Sequence, residues 1–294
     1  MRTRFAPSPT GPLHLGHAYS AILAHDMALR AGGEFLLRIE DIDQSRARPE
    51  WEELIYEDLS WLGLAWESPV MRQSDRLPVY RDTLTSLWNS EAVFACTCNR
   101  RDILAAAAAP NEGEPQFGPD GIVYAGTCRG RRSDHGQRPI PDNAALRLDM
   151  GYAARAVGDP RAGGAVVTFQ ETGRGPGGET GFIDMTTRQL TDDIGDVVLA
   201  RRDMGTSYHL SVVIDDAEQG ITHVTRGQDL FEATKIHVVL QRLLGLQTPV
   251  YHHHALIRDE QGKRLAKRDD ARAIRTYREE GATPADIRRM VGLA

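Results

Sequence analysis

The segment Arg4–His17, R-F-A-P-S-P-T-G-P-L-H-L-G-H, constrains this chain more than any other stretch of it. A short β-like run at Thr3–Phe5 leads into a turn built from Pro7, Pro9, Gly11 and Pro12, and helical periodicity follows over Gly16–Ala31. That order sets a helix N-terminus, with its unpaired N–H groups and partial positive charge, just beyond the end of a strand. Two imidazoles, His14 and His17, bracket Gly16 there. Glycine lets a ligand approach the backbone and both rings can donate to phosphoryl oxygens, so the segment reads as a nucleotide-phosphate site. A bare H-x-G-H fits an ordinary helix start equally well, and the flanking sequence has to decide between the two. Glu34–Ile39 reads as a buried strand, and Glu50–Leu62 as an amphipathic helix with Trp51, Leu54, Ile55, Leu59 and Leu62 on one face. Such alternation implies a parallel α/β sheet binding nucleotide at its strand C-termini.

Tyr80–Ser90 gives a further helix, and from Val93 the pattern breaks. An alanine run at Ala105–Ala109 precedes a Pro-, Gly- and Glu-rich stretch, Pro110–Gly121. A second glycine cluster, Gly158–Gly181, contains G-R-G-P-G-G and reads as a flexible surface loop, with no strand before it and no capped helix after it. Ala144–Leu148 and Ala165–Phe169 look like strands. Regular character returns with apolar strands expected at Asp196–Arg202 and Ser207–Ile214, joined by a turn at Asp203–Thr206, and with a helix at Leu230–Leu244. Thr283 and Pro284 make a good helix start. The expected organisation is a first half of a nucleotide-binding domain at 1–93, an inserted subdomain at 94–185, the second half at 186–245, and a loop with a helical tail at 246–294.

All three cysteines, Cys96, Cys98 and Cys128, fall in the insertion. A disulfide would leave one thiol over, whereas three thiols and a fourth donor suit tetrahedral zinc. Tyr124 is the candidate fourth ligand and His135 its rival; the triplet His252–His254 has no nearby thiol and reads as strand packing. A net charge of −6 argues against a broad nucleic-acid surface. Two local basic runs remain: Arg129, Arg131, Arg132 and Arg138, and Arg258, Lys263, Arg264, Lys267, Arg268, Arg272 and Arg275. Such runs are usually solvated faces, yet a protein that grips one RNA end needs no more than a local patch. The lysines are Lys235, Lys263 and Lys267, and the last two share the segment G-K-R-L-A-K-R, where a compact point charge on a flexible stem has a use. No apolar run reaches the roughly 18 residues that span a membrane, and the N-terminus has no apolar leader, so a cytoplasmic, membrane-free protein is expected.

The Arg4–His17 segment resembles the ATP-binding signature of class I aminoacyl-tRNA synthetases, and its A-P-S-P-T-G is similar to the glutamate-specific branch. Leu37–Asp43, L-R-I-E-D-I-D, matches the next motif of that branch, and Gly262–Arg268 resembles the second ATP-binding loop usually written K-M-S-K-S. This copy departs from it at Arg264, which replaces the first lysine, and at Ala266, which replaces the serine; Lys267 alone matches the phosphate-neutralising lysine. The resemblance implies a Rossmann-type parallel sheet with an inserted zinc-containing α/β subdomain and a short helical C-terminal tail. It implies activation of L-glutamate by ATP with Mg2+, with His14, Gly16, His17 and Lys267 on the nucleotide and His14, His17 and Lys267 carrying catalysis. Arg4, Phe5, Ala6, Pro7, Ser8, Glu40, Tyr208 and Arg226 would form the glutamate pocket; without the resemblance, Tyr208 is a core aromatic and Arg226 a charge flanking a helix. The order Cys96, Cys98, Tyr124, Cys128 is also familiar in these enzymes as a Zn2+ site.

Full-length glutamate enzymes continue past the position of Ala294 into a helical anticodon-reading domain, so the resemblance points to the short branch of the family. That branch activates glutamate without tRNA and attaches it to the queuosine base of tRNA(Asp). On that expectation the protein is a monomer whose insertion holds the tRNA(Asp) anticodon stem-loop. A truncated enzyme charging a tRNA 3′ end, a small-molecule adenylyltransferase and a non-catalytic RNA-binding relic are the alternatives.

Overall fold

The computed structural model describes residues 1–107, 116–131, 139–158, 165–257 and 272–293. The opening βαβ unit forms as its pattern dictates. β1 (Arg2–Phe5) enters α1 (Leu15–Arg30), which buries Leu15, Ala18, Ala21, Ile22, Ala24 and Ala28 and returns the chain to β2 (Glu34–Ile39). The alanines leave no bulk between helix and sheet, so α1 lies close on β1. α2 (Pro49–Trp61) follows, started by its N-terminal proline, then β3 (Glu67–Arg72) and α3 (Leu77–Asn89). β1, β2 and β3 are parallel neighbours in that order.

β4 (Val93–Cys96) leaves this layer, and α4 (Arg100–Ala107), the short hairpin β5 (Phe117–Gly118) and β6 (Gly121–Ile122), β7 (Ala145–Leu148) and α5 (Met150–Val157) come next. β8 (Ala165–Glu171) and β9 (Gly181–Thr186) form an antiparallel pair, and β10 (Val198–Ala200) joins β7 and β4 in a separate antiparallel sheet. The glycine-rich G-R-G-P-G-G segment therefore does have a strand before it: it is the connection from β8 to β9. Gly173 is no spacer either, because a Cβ there would sit 2.2 Å from the His253 carbonyl oxygen.

A second expectation fails more plainly. Residues 207–214 were expected as a strand, but α6 (Tyr208–Glu218) is a helix, capped by Ser207, whose hydroxyl accepts from Leu210 N–H at 3.4 Å. Its residues from His209 to Asp216 are all buried. A helix buried all round shows no period of apolar positions, and a run such as V-V-I is then indistinguishable from a core strand. Of the strand expected at Asp196–Arg202, only β10 forms.

β11 (His223–Gly227), α7 (Phe231–Leu243) and β12 (Val250–His254) complete the second half, with β12 parallel to both β11 and β8. Residues 165–186 thus share a sheet with β11 and β12. The two sheets meet where β1 abuts β11: Thr222 N–H donates to Arg2 O at 3.0 Å, and Arg4 Nη1 reaches Thr225 O at 3.5 Å. From β1 the chain steps outward to β2 and β3, and from β11 it steps the other way to β12, so the crevice between β1 and β11 is the switch point where ligands bind in open α/β sheets.

α8 (Ile274–Glu279) and α9 (Pro284–Met290) fold back on the first half. Thr283 and Asp286 form the capping box of α9, Ile274, Ile287 and Val291 enter the core beside α1, and Arg288 clasps Asp26 at 2.7 and 3.0 Å. No helix among the described residues is long and apolar enough to cross a membrane.

Candidate functional site

At the C-terminal ends of β1 and β11 lies a cavity of about 250 Å3. Its walls bring together Arg4, Phe5 and Ala6 after β1, His14, Gly16 and His17 at the start of α1, Glu40 after β2, Tyr208 of α6 and Arg226 of β11. These residues come from positions 4 to 226 of the chain, and only the sheet makes them neighbours. Ser8 lines an adjoining cavity of about 430 Å3 that shares Glu40 and Tyr208 with the first. Pro7 is buried, and its carbonyl accepts from Glu40 N–H at 3.0 Å, which positions the β2 end beside the turn. Lys267 and its loop lie outside the described residues. The flanks of that loop border the same cleft: Ile257 lines it, and Ala273 pairs with His14 in an isolated bridge while Ile274 N–H donates to Leu13 O at 2.8 Å.

His14 is the N-cap of α1. Its Nδ1 accepts from Gly16 N–H at 3.1 Å, and His17 Nδ1 accepts from His14 N–H at 3.2 Å, so the two rings form a capping box and stack with centroids 3.8 Å apart. Both Nδ1 atoms are acceptors, so each neutral ring carries its proton on Nε2. The backbone thus presets both rings as Nε2–H donors beside a helix N-terminus, an arrangement suited to phosphoryl oxygens. Ser20, one turn further along α1, joins the wall through a 2.7 Å bond to His254 Nε2.

Behind the cavity is a buried ionic cluster that the sequence did not announce. Arg4 grips Asp216 through Nε (2.9 Å) and Nη2 (3.2 Å), and Arg38, fully buried on β2, donates to Asp216 at 2.7 Å, Gln219 at 2.9 Å and Glu40 at 3.1 Å. Asp215 takes Gln73, Arg76 and Tyr80 at 2.7 to 2.8 Å. The cations Arg4, Arg38 and Arg76 balance Glu40, Asp215 and Asp216. Burial pushes the Asp216 carboxyl up, but Arg4 and Arg38 outweigh it and hold it at about 2. Glu40 goes the other way, its carboxyl raised by burial despite Arg38 and Arg4. Arg4, expected to bind a carboxylate, is thus largely committed to Asp216. A lone Arg inside an apolar strand and an Asp pair inside an apolar run were the only signals, and neither alone says which partners it finds.

Arg226 differs. It is 5% exposed, lies with its guanidinium 5.4 Å from the Tyr251 ring, and among the described residues has no carboxylate within ion-pair distance. Nη1 donates to His237 Nδ1 at 3.0 Å and to Thr234 Oγ1 at 3.3 Å, while Nε has no hydrogen-bond partner among the described residues. A buried cation with neutral partners and an unspent donor, facing a cavity, is arranged for an anion that is not part of the chain.

The cysteines gather at the end of β4. The sulfurs of Cys96, Cys98 and Cys128 lie within 4.8 Å of one another, with Cys98 and Cys128 at 3.6 Å. The Tyr124 hydroxyl sits 3.4 and 3.5 Å from the Cys96 and Cys98 sulfurs and accepts from Cys128 N–H at 2.9 Å. Against burial, bonds from Tyr124 and the Thr97 backbone bring the Cys128 thiol down to about 6. Ligand sulfurs of a tetrahedral zinc sit roughly 3.8 Å apart, so the donor set fits that ion, with Tyr124 against it. His135 lies outside the described residues. Among the described members of the two basic runs, Arg129 is committed to Asp196 at 2.7 and 2.9 Å, Arg272 pairs with Glu280, and Arg275 lies over Trp51.

The chain matches the family described as tRNA synthetases class I (E and Q), catalytic domain, over residues 1–115 and 179–294. It is 62% identical over 293 residues to the Glutamyl-Q tRNA(Asp) synthetase of Rhodobacter capsulatus, covering 100% of both chains. It is 40% identical over 286 residues to the protein of the same name from Deinococcus radiodurans, covering 97% of this chain and 85% of that one. Among solved structures, a glutamate tRNA ligase from Elizabethkingia meningosepticum in complex with its amino acid is 27% identical with a TM-score of 0.71. That likeness covers 99% of this chain, and the chain spans 60% of the ligase's length.

Proposed function

Since this chain belongs to the class I tRNA synthetases of the E and Q type, a family of ligases, we propose that it activates L-glutamate with ATP and transfers it to the queuosine base of tRNA(Asp). The observation that carries this reading is Arg226: a buried guanidinium without a carboxylate partner among the described residues, in one cavity with the paired imidazoles of a helix N-terminus.

A glutamate α-carboxylate oxygen attacks the α-phosphorus of ATP, the bond from that phosphorus to the bridging oxygen breaks, and pyrophosphate leaves. Charge grows on the phosphoryl oxygens, so donors fixed in advance lower the barrier. His14 and His17 serve as Nε2–H donors, Gly16 admits the nucleotide to the helix N-terminus, and Lys267 neutralises the leaving pyrophosphate. Mg2+ bound to the ATP phosphates would supply charge neutralisation there. Arg226 takes the side-chain carboxylate, with Tyr208, Phe5, Ala6, Pro7 and Ser8 shaping the pocket, and Glu40 faces the ammonium group. Arg4 acts mainly by holding Asp216 and closing the wall. Discrimination against glutamine follows, because an amide would leave the buried Arg226 charge unpaired. Transfer requires an acceptor hydroxyl to attack the adenylate carbonyl as AMP leaves, and the adjoining cavity that shares Glu40 and Tyr208 gives an acceptor room to enter.

Cys96, Cys98, Cys128 and Tyr124 hold Zn2+ as a structural ion. The segment 94–185 meets the anticodon stem-loop of tRNA(Asp), activation needs no tRNA, and the protein acts as a cytoplasmic monomer. The test offers labelled glutamate and ATP to queuosine-containing and queuosine-free tRNA. Label retained on the queuosine-containing pool alone is expected; label on both, or on neither, refutes the assignment.

A further inference from the structure

We infer that His237 is a positioning residue for glutamate recognition, fixed by His209 as the ring form that orients Arg226; this rests on the role proposed above for Arg226. An arginine side chain only donates hydrogen bonds and an ionised carboxylate only accepts them. Arg226 Nη1 lies 3.0 Å from His237 Nδ1, His237 Nε2 lies 3.1 Å from His209 Nδ1, and His209 Nε2 lies 3.4 Å from Asp120 Oδ1. With a donor fixed at one end and an acceptor at the other, the chain runs one way only. His237 must accept at Nδ1 and donate at Nε2, and His209 must do the same. Asp120 is itself steadied by the Val198 N–H, 3.3 Å from Oδ2.

A second chain leaves the same nitrogen. Arg226 Nη1 reaches Thr234 Oγ1 at 3.3 Å, Thr234 Oγ1 reaches His253 Nε2 at 3.0 Å, and His253 Nδ1 reaches Glu171 Oε2 at 2.5 Å. Glu171 fixes the proton on His253 Nδ1, so Nε2 can accept from the Thr234 hydroxyl. One guanidinium nitrogen is thus held from two sides by neutral groups, with the balancing carboxylates two groups further away. This turns the guanidinium to a set angle without neutralising it, leaving its charge for a ligand. His237 is 1% exposed, and burial together with Arg226 keeps its ring pKa well below the ordinary range, so it stays an acceptor. His209 lines the adjoining cavity and does not line the Arg226 cavity; it reaches Arg226 through His237 and also packs on the Tyr208 ring, 5.5 Å away, a ring contact that phenylalanine at 209 keeps while the hydrogen bond to His237 is lost.

Asparagine and glutamine at 237 separate positioning from packing. Asn carries its carbonyl oxygen near the place of Nδ1 and keeps the acceptor for Arg226. Gln carries its polar atoms near the place of Nε2 and loses that acceptor. Glutamate-dependent exchange of pyrophosphate into ATP, with tRNA present throughout, gives KM for glutamate and for ATP separately. His237→Gln and His209→Phe are expected to raise the glutamate KM roughly tenfold or more, with the ATP KM within about twofold of wild type and His237→Asn within about threefold for both substrates. Equal effects of Asn and Gln, a parallel rise in the ATP KM, or an unmoved glutamate KM in His209→Phe would overturn the inference. A wild-type protein with no glutamate-dependent exchange would instead sink the functional assignment itself, and the two failures are distinguishable.

Discussion

Replacing Asp216 by Asn keeps the shape of the cluster behind the cavity and removes one charge. In the wild type this carboxylate, 5% exposed, accepts from Arg4 at 2.9 and 3.2 Å and from Arg38 at 2.7 Å. The variant leaves two buried guanidiniums against Glu40 and, for Arg38, an Asp215 oxygen 4.0 Å away that Arg76 shares. Two routes give the size of the effect. The carboxyl is held at about 2 against an ordinary 3.8, a gap on the order of 2–3 kcal/mol. Breaking a buried ion pair from one side costs roughly 3–5 kcal/mol. A loss of about 2–5 kcal/mol corresponds to a fall in Tm of roughly 4–20 °C for a chain of this size. Because the native pKa is depressed, the stabilisation is fully present above the unfolded value and is lost only as pH falls toward the folded one. The gap between variant and wild type in urea unfolding should therefore be constant from pH 5 to pH 8 and narrow below pH 4. A Tm within about 2 °C of wild type at pH 7 would refute the view that this cluster is held by its charges. A gap that widened on acidification would refute the sign.

Cys128→Ser should abolish roughly one equivalent of bound zinc per chain, measured by elemental analysis, and lower Tm; full zinc occupancy in the variant would remove the thiol from the site. Asp58 is fully buried, neither carboxylate oxygen has a hydrogen-bond partner among the described residues, and burial lifts its carboxyl to about 6, with Arg278 3.8 Å away. A raised native pKa means that stability falls as pH climbs from about 4 to about 6, so Asp58→Asn should be more stable than wild type by about 1–3 kcal/mol at pH 8 and level with it near pH 4. Equal urea midpoints at pH 8 would contradict this. Gly173→Ala forces a Cβ within 2.2 Å of the His253 carbonyl and should cost roughly 1–3 kcal/mol in chemical unfolding; a neutral result would show that the β8–β9 connection yields freely.

The first half was legible because its elements are amphipathic and locally punctuated by the prolines before the first helix, and the start of α9 was legible from Thr283 and Pro284. His14 and His17 were legible for the same reason, since their geometry is set within one helical turn. α6 was not, because burial on every side erased its period, and a strand was the natural expectation. Gly173 looked like part of a flexible loop, since no local pattern reveals that a carbonyl eighty residues away lies against it.

By itself the sequence determined the opening strand, helix and strand, the class of chemistry that the H-x-G-H turn can support, and the thiol set of the insertion, all consequences of interactions between residues close in the chain. Only the tertiary structure decided what each cation is for. Arg4 and Arg226 look alike as letters, yet the packing of β1, β2, α6, α7 and β11 gives Arg4 a carboxylate and gives Arg226 one histidine and a threonine. The charge left over for a ligand is therefore a property of the assembled sheet, because buried charges are balanced by whatever the fold brings within a few ångströms.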